Sequence, residues 1–191
     1  MNQIAPDILR QLLRYDAETG KLFWRERGPE WFKSDGQGAE KACKKWNTVW
    51  AGREAFTAVG KSGHQTGAVF AKNFLKHRVI WAMHYGWPED LIDHIDGDPG
   101  NNRIENLRPA NQGQNKANAG KRWFRNPSSR YIGVSWSRKE RKWIAQVGHA
   151  GTTSRAGCFT CETTAAIARD RLAKDIKGEF ARLNFPELRH V

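Results

Sequence analysis

The segment DHIDGDPGNNRIENLRPANQGQN, residues 93–115, constrains this chain more than any other. A polypeptide of formal net charge +12 gathers acids, amides and a histidine into one short run. DGDPGNN is turn chemistry, because Asp and Asn bond their own backbone and Gly tolerates positive φ. A short strand from Ile92 to Ile95 enters that turn, and NQGQNKANAGKR has the composition of a short polar helix. A compact strand–turn–helix unit follows, too polar to be a core and too ordered to be a linker.

These residue types suit hydrolysis of a phosphodiester. That reaction needs a divalent cation to neutralise phosphate charge and a base to take a proton from water. Hard cations such as Mg²⁺ take oxygen ligands and use only one or two protein groups. An Asp beside a His, with an Asn on a following helix, supplies those parts, and a neutral Asn does not repel the phosphate. The spacing fails an EF-hand: counting from Asp96 and Asp98, Gly100 and Asn101 fall at the next ligand and the glycine position. Asp96, Gly97, Asp98, Asn101 and Asn102 read as an Asx-rich turn. Asp93, His94, Asn106 and Asn115 stand apart as a chemical set.

KHRVIWAMHYGWPEDLIDHIDGDPGNNRIENLRPANQGQN resembles the HNH nuclease module of phage and intron-encoded endonucleases, a ββα-metal fold, over roughly residues 66–118. LLRYDAETGKLFWRER also resembles the leader of such phage proteins. The resemblance implies Asp93 and Asn115 as metal ligands, His94 as general base and Asn106 as the residue holding the ββ loop to backbone. His77 falls at a histidine common in that subfamily, with a structural or phosphate-contacting part as open as a catalytic one. The implied cofactor is Mg²⁺ or Mn²⁺. No CxxC pairs flank the module, so no structural zinc is expected there.

Elsewhere the patterns are simpler. Residues 5–15 read as a helix, with Pro6 in its first turn and Ile8, Leu9, Leu12 and Leu13 on one face. A turn at Thr19-Gly20 leads to a short strand, and residues 26–46 read as an irregular connection. TGAVFAKNFL has strand character, and KHRVIWAMHYG is a helix ending at Gly86 with Pro88 as a stop. AGKRWFRNPSSR has linker composition. Beyond it the order is strand, strand, strand, helix. In ETTAAIARDRLAKDIKG the residues Ala165, Ala168, Leu172 and Ile176 share one face.

Residues 121–146 hold eight Lys or Arg and a single acid, Glu140, interleaved with Trp123, Trp136 and Trp143. Basic residues with aromatics on a small sheet suit contact with phosphates and grooves. YIGVSWSRKERKWIAQV, GCFTCETTAAIARDRLAKDIKGEF and the closing ARLNFP resemble the plant ethylene-response-factor (AP-two type) DNA-binding domain over about residues 128–186. That family's three-stranded sheet enters the major groove with its helix behind. Alternation sends Val134, Trp143, Ala145, Val147 and Phe159 towards the helix. Ser135, Ser137, Lys142, Gln146 and Arg155 face outward, with Arg138 and Lys139 at the hairpin. These seven are the expected DNA-binding residues. Plant members carry arginines where this chain has Ile132, Ser135 and Ser137, and Trp near Arg155, so phosphate contact should dominate. Cys158 and Cys161 form a lone CxxC, with His149 and Cys43 as conceivable partners; such a pair lacks half of a zinc site.

The sequence therefore predicts an α+β chain: a leader over 1–46, a ββα-metal nuclease domain over 47–120 and a linker over 121–127. A small three-stranded antiparallel sheet packed on one helix follows over 128–191. No apolar run approaches the ~18 residues of a membrane span, and three cysteines suggest a reducing cytoplasm rather than a disulfide framework. The expected function is a divalent-metal-dependent DNA endonuclease, nicking double-stranded DNA, with the monomer as the expected state. The alternative is a non-catalytic DNA-binding regulator built on a degenerate module.

Overall fold

Pro6 opens the first element, because its missing N–H is one that a helix start leaves unbonded anyway. In the computed structural model, which describes residues 3–33, 37–118 and 128–187, helix α1 runs Pro6–Leu12. It ends earlier than the pattern suggests, since Leu13 turns extended and begins strand β1, Leu13–Asp16. Leu9, Leu12 and Leu13 are nonetheless fully buried. The turn through Gly20, at φ 67°, leads into β2, Lys21–Trp24, antiparallel to β1.

The stretch 26–46, expected to be irregular, is largely helical where it is described. A 3-10 turn spans Pro29–Trp31, and α2 spans Gln37–Trp50. Its mixed charges hid it because tertiary contacts on one side hold it. Asn47 accepts from Arg27 N at 3.0 Å and donates to Arg27 O at 2.9 Å. The Arg27 guanidinium lies 3.8 Å from the Trp46 ring, a cation–π contact. Strands β3, Glu54–Ala55, and β4, Ala58–Val59, follow. The single strand read in TGAVFAKNFL is a hairpin, β5 at Gln65–Val69 and β6 at Lys72–Leu75. Phe70 and Ala71 make the turn at φ 50° and 60°. Neither is the Asn or Gly that marks such turns in a sequence.

Helix α3, Lys76–Tyr85, closes at Gly86 as the glycine and Pro88 indicated. Lys76 is only 1% exposed and donates to Glu54 Oε1 at 3.1 Å, which pins the start of α3. Its exit is held by Arg78, which donates to the carbonyls of Pro88 and Asp90. Strand β7, Leu91–His94, then pairs with β8, Leu107–Ala110, across the turn and a 3-10 turn at Ile104–Asn106. Helix α4 spans Gln112–Asn118. The rest of NQGQNKANAGKR and the linker over 121–127 lie outside the described residues.

Strands β9, Val134–Ser137, β10, Lys142–His149, and β11, Thr152–Phe159, form an antiparallel sheet ordered β11-β10-β9, and α5, Glu162–Lys177, completes it. Val134 and Ala145 pack with Ala165, Ala166, Trp143 and Phe159, and Val147 with Ala173. The stripe of α5 that is fully covered differs from the expected one. It is Ala165, Ala166, Arg169, Asp170 and Ala173, while Ala168, Leu172 and Ile176 are half-buried beside it. Small residues let the helix sit close to the sheet, and the longer ones fill its margins.

The chain divides into two compact units, residues 1–109 and 110–191. The leader is not separate in the first: Leu9, Leu12, Leu13 and Leu22 share one core with Val79, Ile80, Ile92 and Leu107. In the second, Asp170 organises a buried polar network. It accepts from Arg169 Nη1, from Asn184 N and Nδ2, and from Phe185 N. Asn184 also exchanges bonds with both backbone groups of Ile132, tying the ARLNFP run to the start of the sheet. Architecture throughout is α+β, and no described helix is long and apolar enough to cross a membrane.

Candidate active site

The site is assembled at strand β7, where neighbouring residues face opposite ways. Asp93 turns towards β8 and His94 towards α3 and the β4–β5 hairpin. Both are buried, at 5% and 4% exposure. Asp93 Oδ2 accepts from Arg108 Nε at 3.1 Å and Nη2 at 3.0 Å, a buried ion pair across the two strands.

His94 Nε2 lies 3.3 Å from Asn102 Oδ1. Asn102 donates from Nδ2 to Gln65 Oε1 at 3.1 Å and to Gly100 O at 3.0 Å. Its amide nitrogen is committed, so Oδ1 faces the ring and His94 Nε2 must carry the proton. Nδ1 is then the basic nitrogen of the neutral imidazole. Asn102 does more than the Asx-rich turn expected of residues 96–102 requires. It is 1% exposed and bonded to a histidine eight residues away. The remaining turn residues behave as read: Asp98 N and Asn101 Nδ2 bond Asp96, and Gly100 N bonds Asp98.

Asn106 lies across the base of the loop. Its Oδ1 accepts from Asp96 N at 3.1 Å, and its Nδ2 donates to Asn101 O at 2.8 Å and Asp96 Oδ1 at 3.0 Å. Burial opposes ionisation of the Asp96 carboxylate, but bonds from Asp98 N, Asn101 Nδ2 and Asn106 Nδ2 hold its pKa below the usual range. The leader braces the same loop from the other side. Ile104 N donates to Tyr15 Oη at 2.8 Å, and Arg103 Nε to Glu18 O at 2.5 Å. Gly20 presses against the loop so closely that a Cβ there would stand 2.6 Å from Arg103 N. Positive φ and this approach both require glycine.

His77, on the first turn of α3, is 4% exposed, and its Nδ1 has no hydrogen-bond partner. Burial, with the nearby His94, His64 and Arg78 adding to it, pushes its pKa down from 6.5 to about 3. The ring stays neutral at physiological pH. His64, just before β5, was not singled out from the sequence, where KSGHQTG reads as an ordinary polar turn. Gly63 is packed so that a Cβ would stand 2.7 Å from Pro99 Cγ, and Gln65 accepts from Asn102, so this hairpin is locked to the site loop. The ring centroids of His64, His77 and His94 are 5.0 to 5.6 Å apart. One ring nitrogen from each lies within 4.8 Å of the others. Burial lowers the His64 pKa too, with His94 as the secondary cause.

Asn115 stands exposed on α4, in the second unit. Among the residues expected on the outer sheet, Arg138, Lys139, Lys142, Gln146 and Arg155 are exposed, and Ser135 and Ser137 are half-buried. Arg155 Nη2 donates to both Glu140 oxygens, at 2.8 and 2.7 Å, and contacts Cys158 Sγ. The Arg155 bond is the main reason the Glu140 carboxyl lies below its ordinary range. Cys43 Sγ donates to Arg27 O, and Cys161 caps α5 in extended geometry.

The HNH endonuclease family model matches residues 74–117, from β6 to α4. Protein 3.8 of Escherichia phage T7 is 34% identical over 116 residues, which cover 59% of this chain and 93% of that protein. This chain belongs to one family with that phage protein and carries an HNH endonuclease domain at residues 74–117. No solved structure matches it. The HNH match contains His77, Asp93, His94, Asn102, Asn106 and Asn115, and it excludes His64 and the whole leader.

An HNH domain implies a divalent cation, and two donor sets of different kind are present among the described residues. Asp93 offers carboxylate oxygen of the sort Mg²⁺ takes, already shared with Arg108. His64, His77 and His94 offer ring nitrogen, and the His77 ring carries a buried Nδ1 without a partner. Oxygen donors fit the hard ion, and nitrogen donors fit a borderline one.

Proposed function

We propose that this protein is a divalent-metal-dependent DNA endonuclease that nicks one strand at a time and holds duplex DNA with its C-terminal sheet. The observation that carries this reading is His94, a buried imidazole whose tautomer is set by Asn102, in the HNH module matched at 74–117. Its Nδ1 takes the proton from the attacking water as general base. Asn102 fixes the ring, and Asn106 and the leader hold the loop from which Asn102 projects. Asp93 would hold the cation, whose charge when bound offsets that developing on the phosphate and leaving oxygen. Arg108 orients Asp93.

The sheet unit supports a DNA-binding role through its exposed cations. Three strands backed by one helix support the resemblance to the ethylene-response-factor domain. Arg138, Lys139 and Lys142 contact phosphates, and Ser135, Ser137 and Gln146 approach base edges. Arg155 becomes available when Glu140 yields to a phosphate. With a net charge of +12, binding weakens steeply with salt.

A second reading, a DNA-binding regulator on an inactive module, draws on the Asp93–Arg108 pair, which balances the carboxylate without an added ion. A supercoiled-plasmid assay with Mg²⁺, Mn²⁺ or EDTA separates the two. Relaxed circles from wild type with metal, and a loss of ~10²–10⁴-fold in His94→Ala, support the nuclease. A gel shift with no product under any metal supports the regulator.

A further inference from the structure

Hydrolysis as proposed uses one histidine, yet three converge. His64, His77 and His94 reach the cluster from three separate elements: the β4–β5 turn, the first turn of α3 and the end of β7. Each is positioned by its own scaffold. Gly63 packs on Pro99 and Gln65 accepts from Asn102. Buried Lys76, beside His77, is anchored to Glu54. His94 is fixed by Asn102. Tilted ring packing accounts for contact between the imidazoles, but it does not account for a nitrogen from each lying within 4.8 Å of the other two. Nor does it account for His77 Nδ1, buried and without a hydrogen-bond partner.

We propose that His64, His77 and His94 bind one zinc-class divalent cation: Zn²⁺, Co²⁺ or Ni²⁺. Imidazole nitrogen suits these ions, whereas Mg²⁺ takes oxygen. Ring nitrogens bound to one such ion stand ~2.0–2.1 Å from it, so small side-chain rotations close the observed spacing. Three protein ligands leave a further position for water or a substrate oxygen, the pattern of open zinc sites. Half-buried His64 leaves a way in for the ion. This donor set differs in kind from Asp93, and strand alternation turns Asp93 away from it.

One consequence rests on the nuclease reading, whereas the binding itself does not. Neutral imidazole has a single lone pair, so an ion on His94 occupies the nitrogen that would take the proton from water. Zinc-class ions therefore switch the site off while Mg²⁺ supports it.

The test uses the full-length chain with Cys43, Cys158 and Cys161 replaced by serine, so that no thiolate competes. Co²⁺ is titrated by visible absorbance and Zn²⁺ by calorimetry, with melting curves confirming that each variant is folded. The expected result is one ion per chain, bound at least ~10-fold more weakly by His64→Ala and by His77→Ala. Absence of saturable binding, or affinity unchanged in folded His64→Ala, overturns the site. Nicking of plasmid in Mg²⁺ is followed on the wild-type chain with and without one equivalent of Zn²⁺. Loss of nicking that a chelator restores is expected, and nicking unaffected by saturating Zn²⁺ overturns the competition. A chain that binds Co²⁺ through the three histidines but never nicks DNA retains the metal site and loses the nuclease reading.

Discussion

Both units bury a polar network, and the two networks end differently. In the second unit, Asp170 accepts from Arg169, from Asn184 twice and from Phe185. In the first, His77 Nδ1 is buried without a hydrogen-bond partner beside His94 and His64. Arg169 Nε is also unpartnered, but a guanidinium has no lone pair to offer a ligand. A carboxylate whose acceptor capacity is filled holds structure together. An imidazole nitrogen left without a bond, next to two others, is available for chemistry. Buried polarity alone does not mark a site; the kind of atom left unsatisfied does.

The largest effect should come from Asp170→Ala, which removes the acceptor at the centre of the saturated network. Breaking a buried pair and stranding its donors costs ~3–5 kcal/mol. Denaturant unfolding and amide exchange at Asn184 and Phe185 should show the second unit loosened. An unchanged melting profile would break the contrast drawn above.

Gly20→Ala comes next. At φ 67° and 2.6 Å from the Arg103 nitrogen, a Cβ must push the site loop away. The strain costs ~1–3 kcal/mol, and nicking should fall with stability because Asn102 moves. Activity intact in a destabilised Gly20→Ala chain would show that the leader supports the fold and not the site.

Asn102→Ala should leave the chain folded but free the His94 tautomer. Losing one such hydrogen bond is worth roughly tenfold in nicking rate, with little change in DNA affinity. The pH dependence of stability sharpens the same point. In EDTA, His77 has a folded pKa of about 3 against an ordinary value of 6.5. Between those values the unfolded chain binds more protons, so stability is full above about 6.5 and falls as pH drops towards about 3. The slope reaches ~1.4 kcal/mol per pH unit. His77→Phe should flatten it, and an unchanged slope would show that another group controls acid unfolding.

Glu140→Gln should have the smallest effect. The Arg155 pair is exposed, so stability should hardly change. Releasing Arg155 and removing a negative charge should tighten duplex binding several-fold at low salt. A gel shift titrated against salt would detect it, and equal or weaker binding would take Arg155 off the DNA-facing surface.

Much of the second unit was legible in the sequence because its elements are consecutive. Alternation along β9 and β10 and helical spacing in α5 are local signals, and neighbours in the chain are neighbours in space. The same holds for α3 with its Gly86 stop, and for the strand carrying Asp93 and His94. Helix α2 was not legible, because its charges are mixed and its hold is Asn47 and Trp46 reaching back to Arg27. The β5–β6 turn was missed because Phe70 and Ala71 take positive φ without the usual residues.

By itself, then, the sequence determined the strands and helices whose hydrophobic period is their own, and the Asp-His pair whose order is a chemical signature. Tertiary structure alone decided that Asn102 orients His94, that the leader braces the loop, and that His64 joins His77 and His94. Those assignments depend on residues 8 to 89 positions apart, from Asn102 on His94 to Tyr15 against Ile104. The physical reason is that a lone histidine or asparagine carries no periodicity. Its role is set by whichever buried donors and lone pairs the folded chain brings within bonding distance.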